Sequence, residues 1–181
     1  MFLFTLKCLW YILPAYLANT APVFAAKIFG ERLSTPVDLG KTIKGNPLFG
    51  NNKTYRGIIS GTVFGTIIAF LQQKVYSLDI IKFISLIDYN QSNIFLFGFL
   101  MGFGALSGDL IKSFFKRRLG IKSGNSWIFF DQTDFIFGGL LFSSIIYVPE
   151  FKYIAGILLI TPFLKIAIDQ IGYYMGICKK L

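Results

Sequence analysis

Residues 107–135, SGDLIKSFFKRRLGIKSGNSWIFFDQTDF, combine carboxylates with a dense group of cations and lie between long apolar segments. The carboxylates are Asp109, Asp131 and Asp134, and the cations are Lys112, Lys116, Arg117, Arg118 and Lys122. Charge in the hydrocarbon core of a membrane is costly and is kept there mostly where it acts on ions or ligands. Carboxylates beside fixed cations suit a hydrated divalent metal that carries a polyphosphate. The stretch therefore predicts a membrane enzyme that handles nucleotide phosphates.

The composition of the whole chain supports a membrane protein and limits its chemistry. The 181 residues are 54% hydrophobic, 18% aromatic and free of histidine, with a mean hydropathy of +0.61. Without imidazole, His-dependent metal sites and catalytic triads are excluded. Hard oxygen ligands remain, and these favour Mg²⁺ or Mn²⁺ over Zn²⁺.

Working outward from the charged stretch, five apolar segments can be recognised. They are residues 2–29, 57–72, 94–111, 135–148 and 153–178. A straight span needs ~20 residues, so the shorter segments must extend into their flanks. Residues 1–181 are predicted to form a single polytopic domain, an all-α integral membrane protein with about five transmembrane helices. Residues 80–87 are too short to span and are predicted to form an interfacial helix.

The distribution of cations predicts the orientation. Most of the 18 Lys and Arg residues fall in the loops 30–56 and 112–133 and at the C-terminus. Cytoplasmic loops are enriched in Lys and Arg. We therefore expect a multi-pass protein of the cell membrane, with its C-terminus inside and two cytoplasmic loops forming a polar site. The net charge of +9 suits an anionic bilayer surface or phosphate ligands. Nucleic acid is not expected as a partner, because the cations lie in short loops between apolar segments.

The first predicted cytoplasmic loop is rich in Gly, Asn and cations. Residues 50–57 read GNNKTYRG, and Arg56 and Gly57 would lie at the start of the second helix. Helix N-termini and exposed backbone N–H groups bind anions. An ordinary positive-inside loop explains the same cations, so both interpretations stay open. A Walker A loop is excluded, because Lys53 and Thr54 come two residues late and no strand precedes them.

The three aspartates each have a local explanation as well. Asp109 could pair with Lys112 at i+3, and Asp131 could cap a helix in which Asp134 is a favourable first-turn charge. Asp131 and Asp134 are three residues apart, so both face one side if the fourth helix has begun there. Convergence of three carboxylates from two segments fits a metal site better than these separate roles.

Three further polar residues lie inside apolar segments. Asn19 could hydrogen-bond between helices or reach a ligand. Lys165 and Asp169 are four residues apart and are expected to form an internal ion pair, with lining of a polar cavity as the alternative.

Three stretches, in order along most of the chain, resemble the CDP-archaeol synthases of the CTP:phosphatidate cytidylyltransferase group. Residues 14–22, PAYLANTAP, resemble that family's first span, and residues 50–57 resemble its Gly-Asp-x-Lys-Thr-Trp-Arg-Gly loop. Asp109, the run KRR at 116–118 and the run DQTDF at 131–135 resemble its signature region. The chain departs from the family at Tyr55, where the family has Trp, and at Lys165 and Asp169, where it has His and Asn.

The resemblance implies transfer of CMP from CTP to a lipid phosphate, which gives a CDP-lipid and pyrophosphate. The lipid would be 2,3-bis-O-geranylgeranylglycerol 1-phosphate, an archaetidic acid-type substrate, or phosphatidic acid. The implied catalytic residues are Asp109, Asp131 and Asp134, as ligands of Mg²⁺, together with Lys116 and Arg117. The implied substrate-binding residues are Asn19, Lys53, Thr54, Arg56, Lys112 and Arg118.

Two other classes of protein account for part of this pattern. A transporter or channel for a phosphorylated anion would also need intramembrane charge and a basic vestibule. The charges, however, collect on one face without crossing the bilayer, and the five spans give no obvious inverted repeat. A scaffold that binds anionic lipid would explain the cations and leave the aspartates unexplained. The sequence decides neither the lipid tails, the number of metal ions nor the oligomeric state.

Overall fold

The computed structural model describes residues 1–122, 125, 127 and 130–174, with the backbone alone at 169 and 171–173. Within that part of the chain the protein is mainly helical. The helices are α1 (Phe2–Phe29), α2 (Tyr55–Val75), α3 (Asp79–Ile84), α4 (Ile94–Arg118), α5 (Phe130–Ser143) and α6 (Phe151–Tyr174). Two short strands, β1 (Thr42–Ile43) and β2 (Asn46–Pro47), pair antiparallel in the loop between α1 and α2. The prediction of a helical membrane protein is confirmed.

Four helices, α1, α2, α4 and α6, are long and apolar enough to cross a membrane. The fourth predicted span is a helix too, but α5 has only 14 residues, about 21 Å at 1.5 Å per residue. It begins at Phe130 and ends at Ser143, where the prediction was 135–148. Pro149 limits any extension of the helix farther downstream, because the residue before a proline disfavours the helical conformation. A short helix, α3, occupies most of the segment 80–87; it has six residues and buries none of them, and its interfacial position stays a prediction.

Helices α4 and α5 pack backbone against backbone at glycines. A Cβ atom on Gly108 would collide with the carbonyl oxygen of Asp134, and one on Gly138 would collide with that of Gly104. Small residues at such positions let membrane helices approach closely. Because Asp109 follows Gly108 directly, this contact brings the carboxylates of the two helices to the same place.

Helix α1 lies at the centre, and its side chains Tyr11, Ile12 and Ala15 are fully buried. It packs against α2, α4, α5 and α6. The Tyr11 hydroxyl lies 3.2 Å from the Ser143 hydroxyl oxygen of α5. The Gln72 amide of α2 donates to the carbonyl oxygen of Trp10 at 2.7 Å. Such hydrogen bonds between helices fix their relative positions in an apolar surround.

The loop before α2 has defined structure. Lys44 and Gly45 join β1 to β2 and have φ values of 52° and 77°. Two successive residues of positive φ are the requirement of a type I′ hairpin turn. Pro36 forms an isolated antiparallel bridge with Thr54, which closes the loop just before α2 begins. The residues from 36 to 54 are therefore held as a folded unit at the end of the helices.

Candidate functional site

The ammonium group of Lys112 lies among the three predicted carboxylates. Its Nζ is 3.0 Å from Asp109 Oδ1, 2.9 Å from Asp131 Oδ1 and 2.6 Å from Asp134 Oδ2. The side chain of Lys112 is only 12% exposed. The carboxylates of α4 and α5 thus converge as the sequence predicted. They meet on Lys112, which the sequence indicated as the i+3 neighbour of Asp109 and, through the family resemblance, as a substrate-binding residue.

Two further lysines complete this group. Lys116, one turn along α4 from Lys112, places its Nζ 3.0 Å from Asp131 Oδ2 and donates to the carbonyl oxygen of Asn125 at 2.6 Å. Lys53 reaches across from the first loop and pairs with Asp109. We call these six side chains the charged cluster: Lys53, Asp109, Lys112, Lys116, Asp131 and Asp134. It joins α4, α5 and the first loop at one end of the helices.

The aspartates of α5 differ in their surroundings. Asp131 accepts a hydrogen bond from the backbone N–H of Trp127 at 2.6 Å, in addition to its lysine partners. That N–H precedes α5, so the carboxylate does not cap the helix from the N-cap position. Asp134 is 6% exposed, and its Oδ1 accepts no hydrogen bond from the described residues. A buried oxygen without a donor is costly, so Asp134 Oδ1 is an atom of the cluster that could accept a further partner.

The donor set of the cluster fits a hard divalent cation. Among the described residues, no three Asp, Glu, Cys or His side chains are arranged as a ready metal site. The three carboxylates instead face Lys112. Their oxygens are the ligand type that Mg²⁺ prefers, and Asp134 Oδ1 has no competing hydrogen bond among the described residues. The ligand type therefore suits such an ion, while in this structure the three carboxylates are placed around the ammonium group of Lys112.

A cavity of about 470 Å³ opens between the first loop and the segment after α4. Its walls carry backbone amides, side-chain amides and two cations, with no carboxylate. The lining residues are Asn46, Pro47, Gly50, Asn51, Asn52, Arg117, Gly120, Ile121 and Lys122. This lining suits a polar anion with hydrogen-bonding groups. A smaller cavity of about 50 Å³ lies between Lys53, Thr54 and Asp109 on one side and apolar residues of α1, α2 and α4 on the other.

The two arginines expected to bind substrate are engaged with the backbone of the first loop. Arg118 donates to the carbonyl oxygens of Ile43 at 2.9 Å and Pro47 at 2.7 Å. Arg56 donates to those of Gly30 at 2.5 Å and Arg32 at 2.8 Å. Guanidinium groups with carbonyl partners on one loop hold that loop in shape.

The remaining predicted residues have these places. Thr54 is the N-cap of α2 and accepts from the N–H of Gly57 at 3.2 Å. Arg117 is buried, donates to the carbonyl oxygen of Ile121 and lines the larger cavity. Asn19 is half-buried in α1. Lys165 lies over the ring of Phe135 at 6.0 Å. Its predicted pair with Asp169 falls on a side chain outside the described residues.

One residue that organises the site was missed by sequence analysis. Asp38 is buried, and its carboxylate accepts from the N–H groups of Gly40 at 3.1 Å, Phe49 at 3.0 Å and Gly50 at 2.9 Å. Burial raises the pKa of Asp38, but the hydrogen bonds from Gly50, Phe49 and Gly40 outweigh it and leave the pKa below its usual value. The spacing Asp38-Leu39-Gly40, typical of an Asx turn, was the available signal.

The chain matches one family of known proteins along nearly its full length. The family model described as "CarS-like: CDP-archaeol synthase" matches residues 1–180. A CDP-archaeol synthase of Methanococcoides burtonii is 38% identical over 179 residues, which cover 93% of this chain and 99% of that protein. A CDP-archaeol synthase of Methanocaldococcus jannaschii is 39% identical over 170 residues, which cover 93% and 92%.

A solved structure is similar to the fold as well. It is described as "Structural insight into an intramembrane enzyme for archaeal membrane lipids biosynthesis". The superposition has a TM-score of 0.71 at 28% identity and covers 89% of this chain and 91% of the other. With four long apolar helices, the fold is that of a multi-pass membrane protein.

Proposed function

The chain belongs to the CarS-like family of CDP-archaeol synthases, and on that premise we propose that it is a CTP:lipid-phosphate cytidylyltransferase. It transfers CMP from CTP to a lipid phosphate and releases pyrophosphate. The observation that carries the proposal is the convergence of Asp109, Asp131 and Asp134 on Lys112, beside a cavity with a basic, amide-rich lining. A phosphoryl-transfer site needs both parts: carboxylates for a metal and cations for the phosphates.

The transfer is a substitution at phosphorus. An oxygen of the lipid phosphate attacks the α-phosphorus of CTP, the bond to the β-phosphate oxygen breaks, and the electron pair leaves with pyrophosphate. A phosphate monoester has a second pKa of about 6 and is mostly dianionic at neutral pH. The nucleophile therefore needs no general base, which agrees with a chain that has no histidine.

Different side chains would bind the two substrates. Arg117 and Lys122 line the larger cavity and would hold the triphosphate. Lys53 and the hydroxyl-bearing Thr54 line the smaller cavity, next to apolar residues, and suit the lipid phosphate. Asp109 lines the smaller cavity and contacts both Lys53 and Lys112, and Asn52 lines both cavities. The reacting groups would then meet at the charged cluster.

Mg²⁺ is the cofactor that this donor set suits. It would be held by Asp109, Asp131 and Asp134. When bound, it would neutralise charge on the leaving pyrophosphate. Lys112 and Lys116 would contribute fixed positive charge from the same helix.

The family supports a proposal for the lipid, and the distribution of cations supports one for the orientation. CDP-archaeol is the product named for the relatives, so the proposed acceptor is the archaetidic acid-type 2,3-bis-O-geranylgeranylglycerol 1-phosphate, with phosphatidic acid as the comparison substrate. By the positive-inside rule, the loop with Lys53 and the C-terminus would lie in the cytoplasm, where CTP is available.

The test is an activity assay of the purified protein with α-³²P-labelled CTP and Mg²⁺. The ether lipid phosphate and phosphatidic acid are offered separately as acceptors. We expect label in the lipid phase together with pyrophosphate release, more with the ether lipid. Asp134→Asn is the matched control for contaminating activity. Absence of lipid-bound label with both acceptors, in protein shown to be folded, would overturn the proposal.

A further inference from the structure

The carboxylate of Asp38 is buried in the first loop and is held by backbone groups. Asp38 is 4% exposed, and no Lys or Arg of the described part of the chain forms an ion pair with it. It accepts hydrogen bonds from the N–H groups of Gly40, Phe49 and Gly50. A buried charge is costly unless it is paired or hydrogen-bonded. Asp38 is not among the described residues that line either cavity, so its charge serves the backbone of the loop.

Two of these N–H groups belong to the segment that leads to Lys53. The same carboxylate oxygen, Oδ2, accepts from Phe49 at 3.0 Å and from Gly50 at 2.9 Å. The carbonyl oxygen of Gly50 accepts in turn from the N–H of Lys53 at 3.1 Å, which closes a turn over residues 50–53. Asp38 therefore fixes the first residue of the turn that carries Lys53.

The residue before Asp38 holds the other end of the same turn. The N–H of Val37 donates to the carbonyl oxygen of Lys53 at 2.8 Å. Val37 and Asp38 thus fix the last and the first residue of the turn. From this turn the side chain of Lys53, which is 26% exposed, reaches across to pair with Asp109 of α4. The position of the ammonium group depends on how the turn is held.

We propose that Asp38 is a positioning residue for Lys53. Its carboxylate fixes Gly50, and with it the point of the backbone from which the side chain of Lys53 reaches Asp109. A charged acceptor suits this role, because hydrogen bonds to a carboxylate are roughly twice as strong as those between neutral groups. This inference rests on the proposed function, in which Lys53 holds the lipid phosphate. It adds a residue that acts through that lysine and does not touch the substrate.

Chemical labelling of lysines tests the position of Lys53 without a measurement of activity. Full-length Asp38→Asn in detergent is treated briefly with acetic anhydride, at a temperature at which it is folded, and each lysine is quantified by mass spectrometry. The amide nitrogen of Asn cannot accept a hydrogen bond, so the turn should loosen and release Lys53 from Asp109. We expect Lys53 to be labelled about fivefold faster, the size of effect that loss of one hydrogen bond gives. The internal reference is Lys44, an exposed lysine of the same loop.

Lys116 distinguishes release of Lys53 from general opening of the protein. Its side chain is 8% exposed and pairs with Asp131, so its labelling should not change in Asp38→Asn. Unchanged labelling of Lys53 in this variant, or an equal increase at Lys116, would overturn the proposal.

A second variant keeps the test valid if Asp38→Asn does not fold. Gly50 has a φ of 96°, a conformation that glycine adopts readily and other residues do not. Gly50→Ala therefore strains the same turn and should also expose Lys53 to the reagent, and protection of Lys53 in this variant would contradict the proposal. Asp79→Asn, the same substitution as at Asp38 but on the exposed helix α3, is the control and should leave the labelling of Lys53 unchanged.

A double-mutant cycle tests whether Asp38 acts on the reaction through Lys53. We expect Asp38→Asn to lower kcat/KM for the lipid phosphate about 10- to 100-fold, because a small displacement of a group that holds a substrate has effects of this size. The double variant with Lys53→Met should then lie within about twofold of Lys53→Met alone. With Lys122→Met, on the wall of the larger cavity, the two losses should instead multiply. Losses that multiply in both pairs, or equal coupling to both lysines, would overturn the proposal.

The two measurements separate this inference from the proposed reaction. Selective release of Lys53 in a protein that forms no CDP-lipid would support the positioning of Lys53 by Asp38 and overturn the reaction. CDP-lipid formation with unchanged labelling of Lys53 in Asp38→Asn would leave the reaction standing and overturn the positioning role.

Discussion

The guanidinium of Arg118 donates to the carbonyl oxygen of Pro47, 2.7 Å away, and so connects the last turn of α4 to the hairpin of the first loop. A second donor of the same side chain reaches Ile43 on the other strand, and the guanidinium also lies 4.8 Å from the ring centre of Phe114. Because Pro47 lines the larger cavity, this contact positions one of its walls.

Arg118→Met is expected to loosen that wall while the apolar stem of the side chain is largely kept. Loss of two charge-assisted hydrogen bonds, at about 1.5–3 kcal/mol each for bonds to a charged group, should expose the hairpin to proteases. Limited proteolysis near residues 41–48 gives the measurement, and the KM for CTP should rise more than kcat falls. Lys41→Met, on the same loop, is the control. A hairpin that stays protected in Arg118→Met would show that the contact does not hold the loop.

Asp134→Asn should abolish most of the catalysis and leave the fold intact. The amide keeps the shape of the side chain but removes a charge that faces Lys112 at 2.6 Å. Loss of one electrostatic contact in an active site lowers kcat by about 10²–10³-fold, and CDP-lipid formation measures it. Asp79→Asn is the matched control, since Asp79 pairs only with Lys82 among the described residues, at 3.5 Å, on the exposed α3. Full activity in Asp134→Asn would remove this carboxylate from the site.

Gly108→Ala tests the contact that brings α4 and α5 together. A methyl group there collides with the carbonyl oxygen of Asp134, and overpacking of this kind costs about 1–3 kcal/mol. We expect a lower thermal unfolding temperature and, because Asp109 is the next residue, lower activity. Ser107→Ala changes the preceding position of α4 and should have neither effect. An unchanged unfolding temperature in Gly108→Ala would mean that the helices are farther apart than described.

Asp38→Asn should make the stability of the protein less dependent on pH in the acid range. The pKa of Asp38 lies below its usual value because the N–H groups of Gly50, Phe49 and Gly40 outweigh its burial. The carboxylate therefore stabilises the fold fully above the unfolded-state pKa of about 3.9, and this contribution is lost as the pH falls through the lower folded-state pKa.

The measurement for Asp38 is thermal unfolding of both proteins between pH 7 and pH 3. The unsubstituted protein should unfold at the higher temperature at pH 7, and the difference should shrink as the pH falls below about 4. A difference that stays constant over this range would show that the charge of Asp38 contributes nothing.

The sequence predicted the helices better than it predicted the partners of individual side chains. The first apolar segment matches α1 at both ends, because a long, mainly apolar run leaves little choice of boundary. The convergence of Asp109, Asp131 and Asp134 was also predictable, since their spacing and the cost of charge in a membrane favour one shared site.

Long-range contacts could not be predicted in the same way. Lys112 meets Asp134 only because α4 and α5 approach at Gly108 and Gly138, which no local pattern reveals. Arg118 was expected at a phosphate, but its partners are carbonyl oxygens more than seventy residues earlier in the chain. A cation in a loop can serve a ligand or the loop itself, and only the folded arrangement decides between them.

The short length of α5 also sets the depth at which the chemistry takes place. Fourteen residues cover about 21 Å, whereas the hydrocarbon layer is about 30 Å thick. A helix of that length cannot cross the layer by itself, and its end with Asp131 and Asp134 is the polar one. We therefore expect water and lipid head groups to reach inward at this end of α5, with a local thinning of the bilayer. A lipid substrate can then present its phosphate to the site while its tails stay among the neighbouring lipids.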